Sequence, residues 1–469
     1  MMDIKELACS VERWANDHKE EMVRDIIKIV NQKSVSDPGE GGYAFGTDCK
    51  KCGDVMAGMG QDQGFVIDND DYYTLSLVMP GKTDREIGIL GHLDVVPAGA
   101  GWHYEPYNAI EKDGFVIGRG SSDNKGAVIM SMYVMKYLWE MGISLNHTLR
   151  LICGFNEESG MKDVEHYLTT HKAPEFTIVC DGGWAMCIGE KGTLTADLVQ
   201  KAAAGNLVSM KGGTVTNAVS GYAEMVISHV DGEKVKRQAA EFSPDLEVVL
   251  VPEGTKIMAK GKAAHAAFPD TGDSAIYKLC HFADQYGLLT EEAREAVKNL
   301  SQTFVDEYGT GLGIAFEDSI SGKTTCVGGV ISFEQGELIQ NINVRYAINQ
   351  DSEELMDRLN QVCGERNMEV RNLDYSRPRY SDPKDPVIKM LLDTCHEFLG
   401  QDYEAYTMGG GTHARKFPNA LPYGPGSVKL EHPNPFGHPH GIDEAVSLEG
   451  LIRSMSVYVA AITRLDEML

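Results

Sequence analysis

Three short apolar runs constrain this chain more than any other feature: REIGILGHLDVV (85–96), HTLRLICGF (147–155) and EFTIVCDGG (175–183). Each reads as a strand that ends in polar residues. A strongly apolar helical stretch, GAVIMSMYVMKYLWEMGI (126–143), lies between the first two. Strand, helix, strand in that order predicts an α/β fold whose mostly parallel sheet lies between helices. The helical stretch carries Lys136 and Glu140, so it reads as a buried core helix rather than a membrane span.

From about residue 190 the texture changes. KTTCVGGVISFEQGELIQNINVRYAINQ holds two alternating strands with a glycine turn between them, the pattern of a hairpin. DSEELMDRLNQVCGERN then reads as a helix with an Asp or Ser cap and an acidic first turn. The helical pattern returns at SDPKDPVIKMLLDTCHEFLG (381–400), where prolines mark a seam. At 469 residues the chain is long for one core. The expected organisation is a catalytic α/β domain in two parts, 1–186 and 383–469, interrupted by an inserted α+β lid domain over 187–382.

The formal net charge of −26 would repel polyanions, and no basic stripe interleaved with aromatics appears, so no nucleic-acid partner is expected. The first thirty residues read as charged amphipathic helix without the apolar core of a secretion signal, so the expected location is cytoplasmic, with no membrane partner. Ten cysteines in such a chain are expected to be reduced thiols. The CKKC of Cys49–Cys52 lacks two further ligands at a structural-zinc spacing and reads as helix with two incidental thiols.

Possible metal ligands collect at the strand ends. GHLDVVP supplies His92 and Asp94, NEESG supplies Glu157 and Glu158, VCDGG supplies Asp181, and GRGSSDNKG before the core helix supplies Asp123. In a parallel sheet the carboxyl ends of strands share one edge, where sites form. The H-x-D spacing puts His92 and Asp94 on one face, so Asp94 could accept the second ring N–H of a metal-bound His92. A late proline-rich loop adds His432, His438 and His440; His440 precedes Asp443 by three, just ahead of the apolar-periodic run AVSLEGLI.

GHLDVVPAGAGW, GRGSSDNKG, NEESG and the H-x-x-D-E of HGIDE, in this order, resemble the two-metal peptidases that include carboxypeptidase G, aminoacylase, succinyl-diaminopimelate desuccinylase and carnosinase. Chain length and GGGTHAR (409–415) are most similar to the dipeptidase V, or Xaa-His dipeptidase, branch. The resemblance implies two divalent metal ions, zinc first and manganese or cobalt as alternatives. It implies that Asp123 bridges them, that His92 and Asp181 complete one site, and that Glu158 and His440 complete the other. Glu157 would then be the general base acting on water activated by the two ions. The implied reaction is hydrolysis of dipeptides with a free C-terminal carboxylate; an N-acyl-amino-acid deacylase or desuccinylase of the same family is the alternative.

Within the inserted domain, alternation in QNINVRY puts Ile342, Val344 and Tyr346 on one face and Asn341, Asn343 and Arg345 on the other. By the resemblance Arg345 grips the substrate carboxylate as a bidentate fork. The same resemblance implies that Asn217 contacts substrate and that His265, among small residues beside an expected helix start, stabilises the oxyanion. Gly411 and Thr412 belong to a glycine-rich pocket loop, with His413 as pocket lining. The long insert resembles the dipeptidase V lid, which supplies the histidine matching His265 within one chain, so the resemblance implies a monomer, with a dimer as the alternative. One departure stands out: Asp181 is followed by GGWAMCIGEKG, where relatives carry an acidic residue and an aromatic-proline pair. That bears on recognition of a free amino terminus and leaves the ligand set intact.

Overall fold

The computed structural model describes residues 4–430 and 433–469, so His432 lies outside the described residues. It comprises two compact units. One runs from the N-terminus to Ile188 and takes in Ser381–Tyr406 and Gly411–Leu469; the other is Gly189–Tyr380 with Thr407–Gly410.

The first unit opens with helices α1 (Ile4–Asp17), α2 (Lys19–Val30) and α3 (Thr47–Asp62). The N-terminal amphipathic stretch is thus two helices, broken at His18, whose φ of −101° and ψ of 4° leave the helical region. Cys49 and Cys52 lie buried on α3. Strands β1 (Val66–Asp70), β2 (Thr74–Met79) and β3 (Glu86–His92) follow, then α4 (Gly126–Glu140), β4 (Thr148–Gly154), α5 (Lys162–Thr170) and β5 (Phe176–Val179). The sheet order is β1-β2-β4-β3-β5, closed by the short strand Ala420–Pro422. β3 runs parallel to both β4 and β5, and Ala420–Pro422 runs parallel to β5. β1 and β2 form an antiparallel edge, joined through Asp71 and Tyr72 at φ 48° and 59°.

Both faces of this sheet are covered, as the period of two requires. Ile87, Ile89, Leu149, Leu151 and Ile178 face the large core that holds α3 and α4. Leu90, Ile152 and Val179 face the other way, against Val164 and Tyr167 of α5 and Phe417. Register then aligns the strand ends: His92 sits opposite Gly154, and Leu90 opposite Val179. Residues just past those ends, Glu157, Glu158 and Asp181, therefore emerge on one edge.

The second unit is built on an eight-stranded sheet in which every neighbouring pair is antiparallel. Its central hairpin joins Thr325–Glu334 to Glu337–Tyr346 through Gln335 and Gly336, both at positive φ. The helix Ser352–Glu365 starts on the Asp351 cap, whose carboxylate accepts from the backbone N–H groups of Glu353 and Glu354. Ile342, Val344 and Tyr346 are fully buried in the unit's core. Among the described residues, no helix is long and apolar enough to cross a membrane.

Candidate metal centre

Two triads of potential metal-binding side chains meet at Asp123. The first joins strand ends to the loop before α4: His92 Nε2 lies 3.0 Å from Asp123 Oδ1 and 3.8 Å from Asp181 Oδ2. The second brings in distant segments: His440 Nε2 lies 3.1 Å from Glu158 Oε1 and 3.2 Å from Asp123 Oδ2. Within each triad the potential donor atoms all lie within 4.8 Å of one another. Ligands at ~2.0–2.1 Å around one tetrahedral zinc ion stand ~3.3–3.4 Å apart. Two imidazole nitrogens and three carboxylates at these spacings therefore suit a pair of divalent cations sharing Asp123.

Local chemistry explains why the chain holds them there. Asn124 donates from Nδ2 to the Cys180 carbonyl at 2.7 Å, and its Oδ1 accepts from the His92 N–H at 3.2 Å. One side chain thereby ties the ends of β3 and β5 to the Asp123 loop. It fits because residue 91 is glycine: a Cβ there would lie 2.5 Å from Asn124 Oδ1 and 2.7 Å from Cys180 Sγ. The Glu157–Glu158 turn is fixed from below. The buried Asp94 carboxylate accepts from the backbone N–H groups of Glu157 and Glu158, both at 3.1 Å. His92 Nδ1 is closest to the backbone carbonyl of Asp94, at 3.0 Å, with the Asp94 carboxylate 3.5 Å away. Asp94 thus orients His92 chiefly through its main chain and spends its carboxylate on the turn that carries the two glutamates.

Close packing of charges shifts the proton affinities of several of these groups. Burial and the nearby Asp123 charge push the Asp181 carboxyl up to about 7. Burial, reinforced by the charges of Asp181, Glu158 and Asp123, pushes Glu157 well above the usual carboxylate range. Hydrogen bonds to Asp123 and Glu158 lift His440 to about 10. For Asp123 burial works in the opposite sense, but the imidazoles of His440 and His92 hold it well below its ordinary value. The crowding of Asp181 and Glu157 against neighbouring carboxylates marks a site whose chemistry favours added positive charge.

The model of peptidase family M20/M25/M40 matches residues 88–464. The chain belongs to this family. It is a hydrolase of the metallopeptidase class, and its family is metal-dependent. The protein described as "Putative dipeptidase YtjP" from Bacillus subtilis is 28% identical over 468 residues, covering 95% of this chain and 97% of that one. A relative in Staphylococcus epidermidis, described as a "Putative dipeptidase", shares 28% over the same coverage. Among solved structures, human carnosine dipeptidase 1 superposes with a TM-score of 0.59 at 14% identity, over 98% of this chain and 100% of that chain. The di-peptidase Dug1p from Saccharomyces cerevisiae gives 0.60 at 13%, over 98% of each. At these identities the structural likeness speaks for the M20 fold.

His438 stands apart from both triads and lines an adjoining cavity of about 880 Å³ that reaches Asp123 and Asp181. Thr412 is buried, and its hydroxyl accepts from the Ala414 N–H, capping a short turn directly after Gly411. His413 is buried against Asp163, with Nε2 3.0 Å from the carboxylate, and Asp163 in turn accepts from the Asn156 N–H at 2.9 Å. His413 therefore braces the loop leading to Glu157. In the second unit, the Asn217 carbonyl accepts from the Ala266 N–H at 2.9 Å. Thr325, the register partner of Arg345, donates to the Ala266 carbonyl at 2.8 Å. Asn217 and Thr325 thus anchor Ala266 beside His265, and Arg345 lies across the sheet from Thr325. His265 lies on the two-residue strand Ala264–His265, paired with Ala218–Val219, rather than at a helix start; Pro269–Thr271 and the Ser274 cap intervene before the helix Ala275–Gln285.

Two carboxylates went unassigned in the sequence. Asp443 accepts from the backbone N–H groups of His103 and Tyr104, at 2.8 and 3.2 Å, and lies 2.6 Å from His103 Nδ1. Glu444 reaches the Asp123 loop. The H-x-x-D-E spacing marked both residues, but nothing in it named their partners.

Proposed function

We propose that this chain is a metal-dependent dipeptidase that hydrolyses the peptide bond of dipeptides bearing a free C-terminal carboxylate. The observation that carries the reading is the pair of triads sharing Asp123 with Glu157 beside them. Relatives matched along nearly their whole length and described as dipeptidases support the substrate class. His92, Asp123 and Asp181 would hold one divalent ion, and Asp123, Glu158 and His440 the other; zinc suits this mixed imidazole and carboxylate set. When bound, such ions supply Lewis-acid polarisation of the scissile carbonyl and acidify water.

Glu157 takes the proton of the attacking water and returns it to the leaving amine, a shuttle typically worth about 10²–10⁴-fold. Asp94 holds the Glu157 backbone in place. From the inserted domain, assigned to 187–382, Arg345 binds the terminal carboxylate, His265 donates to the oxyanion, and Asn217 contacts substrate. Gly411 and Thr412 shape the pocket from the catalytic segments, assigned to 1–186 and 383–469.

The test is hydrolysis by metal-stripped, metal-restored enzyme of a free dipeptide, its N-acetyl form, its C-terminal amide and a tripeptide, each with zinc, manganese and cobalt. Cleavage confined to the free dipeptide is the expected result. Preference for the N-acetyl compound would replace this reading with a deacylase.

A further inference from the structure

We infer that Glu444, locked by Arg119, is a positioning residue for the metal centre, setting the main chain of two metal-ligand residues, Asp123 and His440, at once. This rests on the metal-centre reading above and is independent of the substrate class.

Both side chains are buried, Glu444 fully and Arg119 at 1% exposure. Glu444 Oε1 accepts from the backbone N–H groups of Ser122 and Asp123, both at 2.9 Å. Its Oε2 accepts from Arg119 Nη1 at 2.5 Å and from the Gly120 N–H at 3.1 Å. Four donors fill the acceptor capacity of a carboxylate. The loop that presents Asp123 is therefore wound around one buried anion. Its backbone carbonyl adds two more ties, accepting from the Gly118 N–H at 2.9 Å and the Ser121 hydroxyl at 3.2 Å.

Arg119 carries the same constraint to the other ligand. Its Nη2 donates to the His440 carbonyl at 3.3 Å and the Ala98 carbonyl at 3.4 Å, and its guanidinium lies 5.1 Å from the Trp102 ring centroid. His440 has φ 62°, a left-handed conformation uncommon for a residue with a Cβ. Such a conformation persists where its surroundings over-determine it. The Arg119 bond to its carbonyl and the Asp443 contacts three residues on supply that constraint.

A buried ion pair alone is weak evidence for a role beyond folding. Here the two triads differ in their dependence on it. The Asp123–Glu158–His440 set has two of its three ligands on segments touched by the pair. The His92–Asp123–Asp181 set has one. Loss of the pair should weaken the first site more than the second, an asymmetry that a general loss of stability does not produce.

The experiment is a competitive zinc titration of metal-free protein against a chromophoric chelator, for wild type, Glu444→Gln, Arg119→Lys and His440→Ala. Thermal unfolding of each metal-free protein runs alongside. His440→Ala identifies which binding step belongs to the His440 site. In Glu444→Gln that step is expected to weaken by about 10–100-fold, the usual effect of losing an outer-shell partner, with a clearly smaller change in the other. Arg119→Lys keeps the charge and loses the fork, so it should move the same step in the same direction; it carries the test if Glu444→Gln does not fold. Two unchanged steps with a lowered unfolding midpoint would overturn the inference, as would equal weakening of both. A wild-type chain showing neither step would overturn it together with the metal centre. A wild type showing both steps yet inert toward dipeptides would remove only the substrate reading.

Discussion

Replacing Asp94 by Asn removes one buried charge and exchanges one acceptor oxygen for a donor. In the native chain the two carboxylate oxygens serve the Glu157 and Glu158 N–H groups separately, each at 3.1 Å. An asparagine can satisfy one of them; its amide then faces the other N–H, donor to donor. A hydrogen bond to a charged group is worth about 1.5–3 kcal/mol, and a buried donor left unsatisfied costs about 1–3 kcal/mol. These overlap, because the lost bond and the orphaned donor are partly one event, so the net cost is about 2–4 kcal/mol. The same turn carries Glu157, and a shift of about 1 Å in a reacting group can cost about 10²-fold in rate. All four tryptophans, Trp14, Trp102, Trp139 and Trp184, lie in the first unit. Urea unfolding of metal-free protein followed by tryptophan fluorescence therefore reports on the unit that holds Asp94. A lower midpoint is expected, together with a lower kcat at saturating metal. Stability within ~0.5 kcal/mol of wild type, the range of neutral surface changes, with unchanged kcat would refute the assignment of the Asp94 carboxylate to this turn.

Proton release should accompany metal binding, because a ligating imidazole must be neutral while His440 in the metal-free chain titrates at about 10. Calorimetry at pH 7 in buffers of different ionisation enthalpy should record at least one proton released per chain, and none would contradict the geometry. A folded value above the unfolded ~6.5 stabilises the metal-free chain fully below that pH, and the contribution is lost as pH rises through about 10. Arg345→Met should lower kcat/KM for a free dipeptide by about 10–100-fold, the equivalent of ~1.5–3 kcal/mol for a charge-assisted contact, and leave a C-terminal amide unaffected; equal losses on both would remove the carboxylate role. Gly91→Ala presses a methyl group against Asn124 and Cys180. The expected cost in the same urea assay is about 1–3 kcal/mol, as for other overpacked cores, and wild-type stability would mean that the Asn124 tie is slack.

The grouping of the candidate ligands was legible in part from topology, while His440 and the sharing of Asp123 came only from the family resemblance. Parallel strands bring their carboxyl ends to one edge, so the His92, Glu158 and Asp181 candidates could be grouped without knowing a single distance. What spacing could not convey was which acceptor on a residue is used: H-x-D placed Asp94 near His92, yet the main-chain carbonyl takes the ring and the carboxylate turns to the glutamate turn. Glu444 was likewise visible only as a letter in HGIDE, since its partners lie more than 320 positions earlier in the chain. The antiparallel β1–β2 edge was missed because VIDND is half polar and its turn places Asp71 and Tyr72 at positive φ without a glycine. His265 sits on a short strand and not at a helix start because a proline-led turn separates it from the helix Ala275–Gln285.

The most direct test of the account is Glu157→Gln, assayed for metal content and turnover on the same sample. The side chain keeps its shape and loses the ability to carry a proton from water to the leaving amine. Both metal ions should remain bound while kcat on a free dipeptide falls by about 10²–10⁴-fold. A fully metallated variant that turns over within a few-fold of wild type would contradict the assignment of Glu157 as the base.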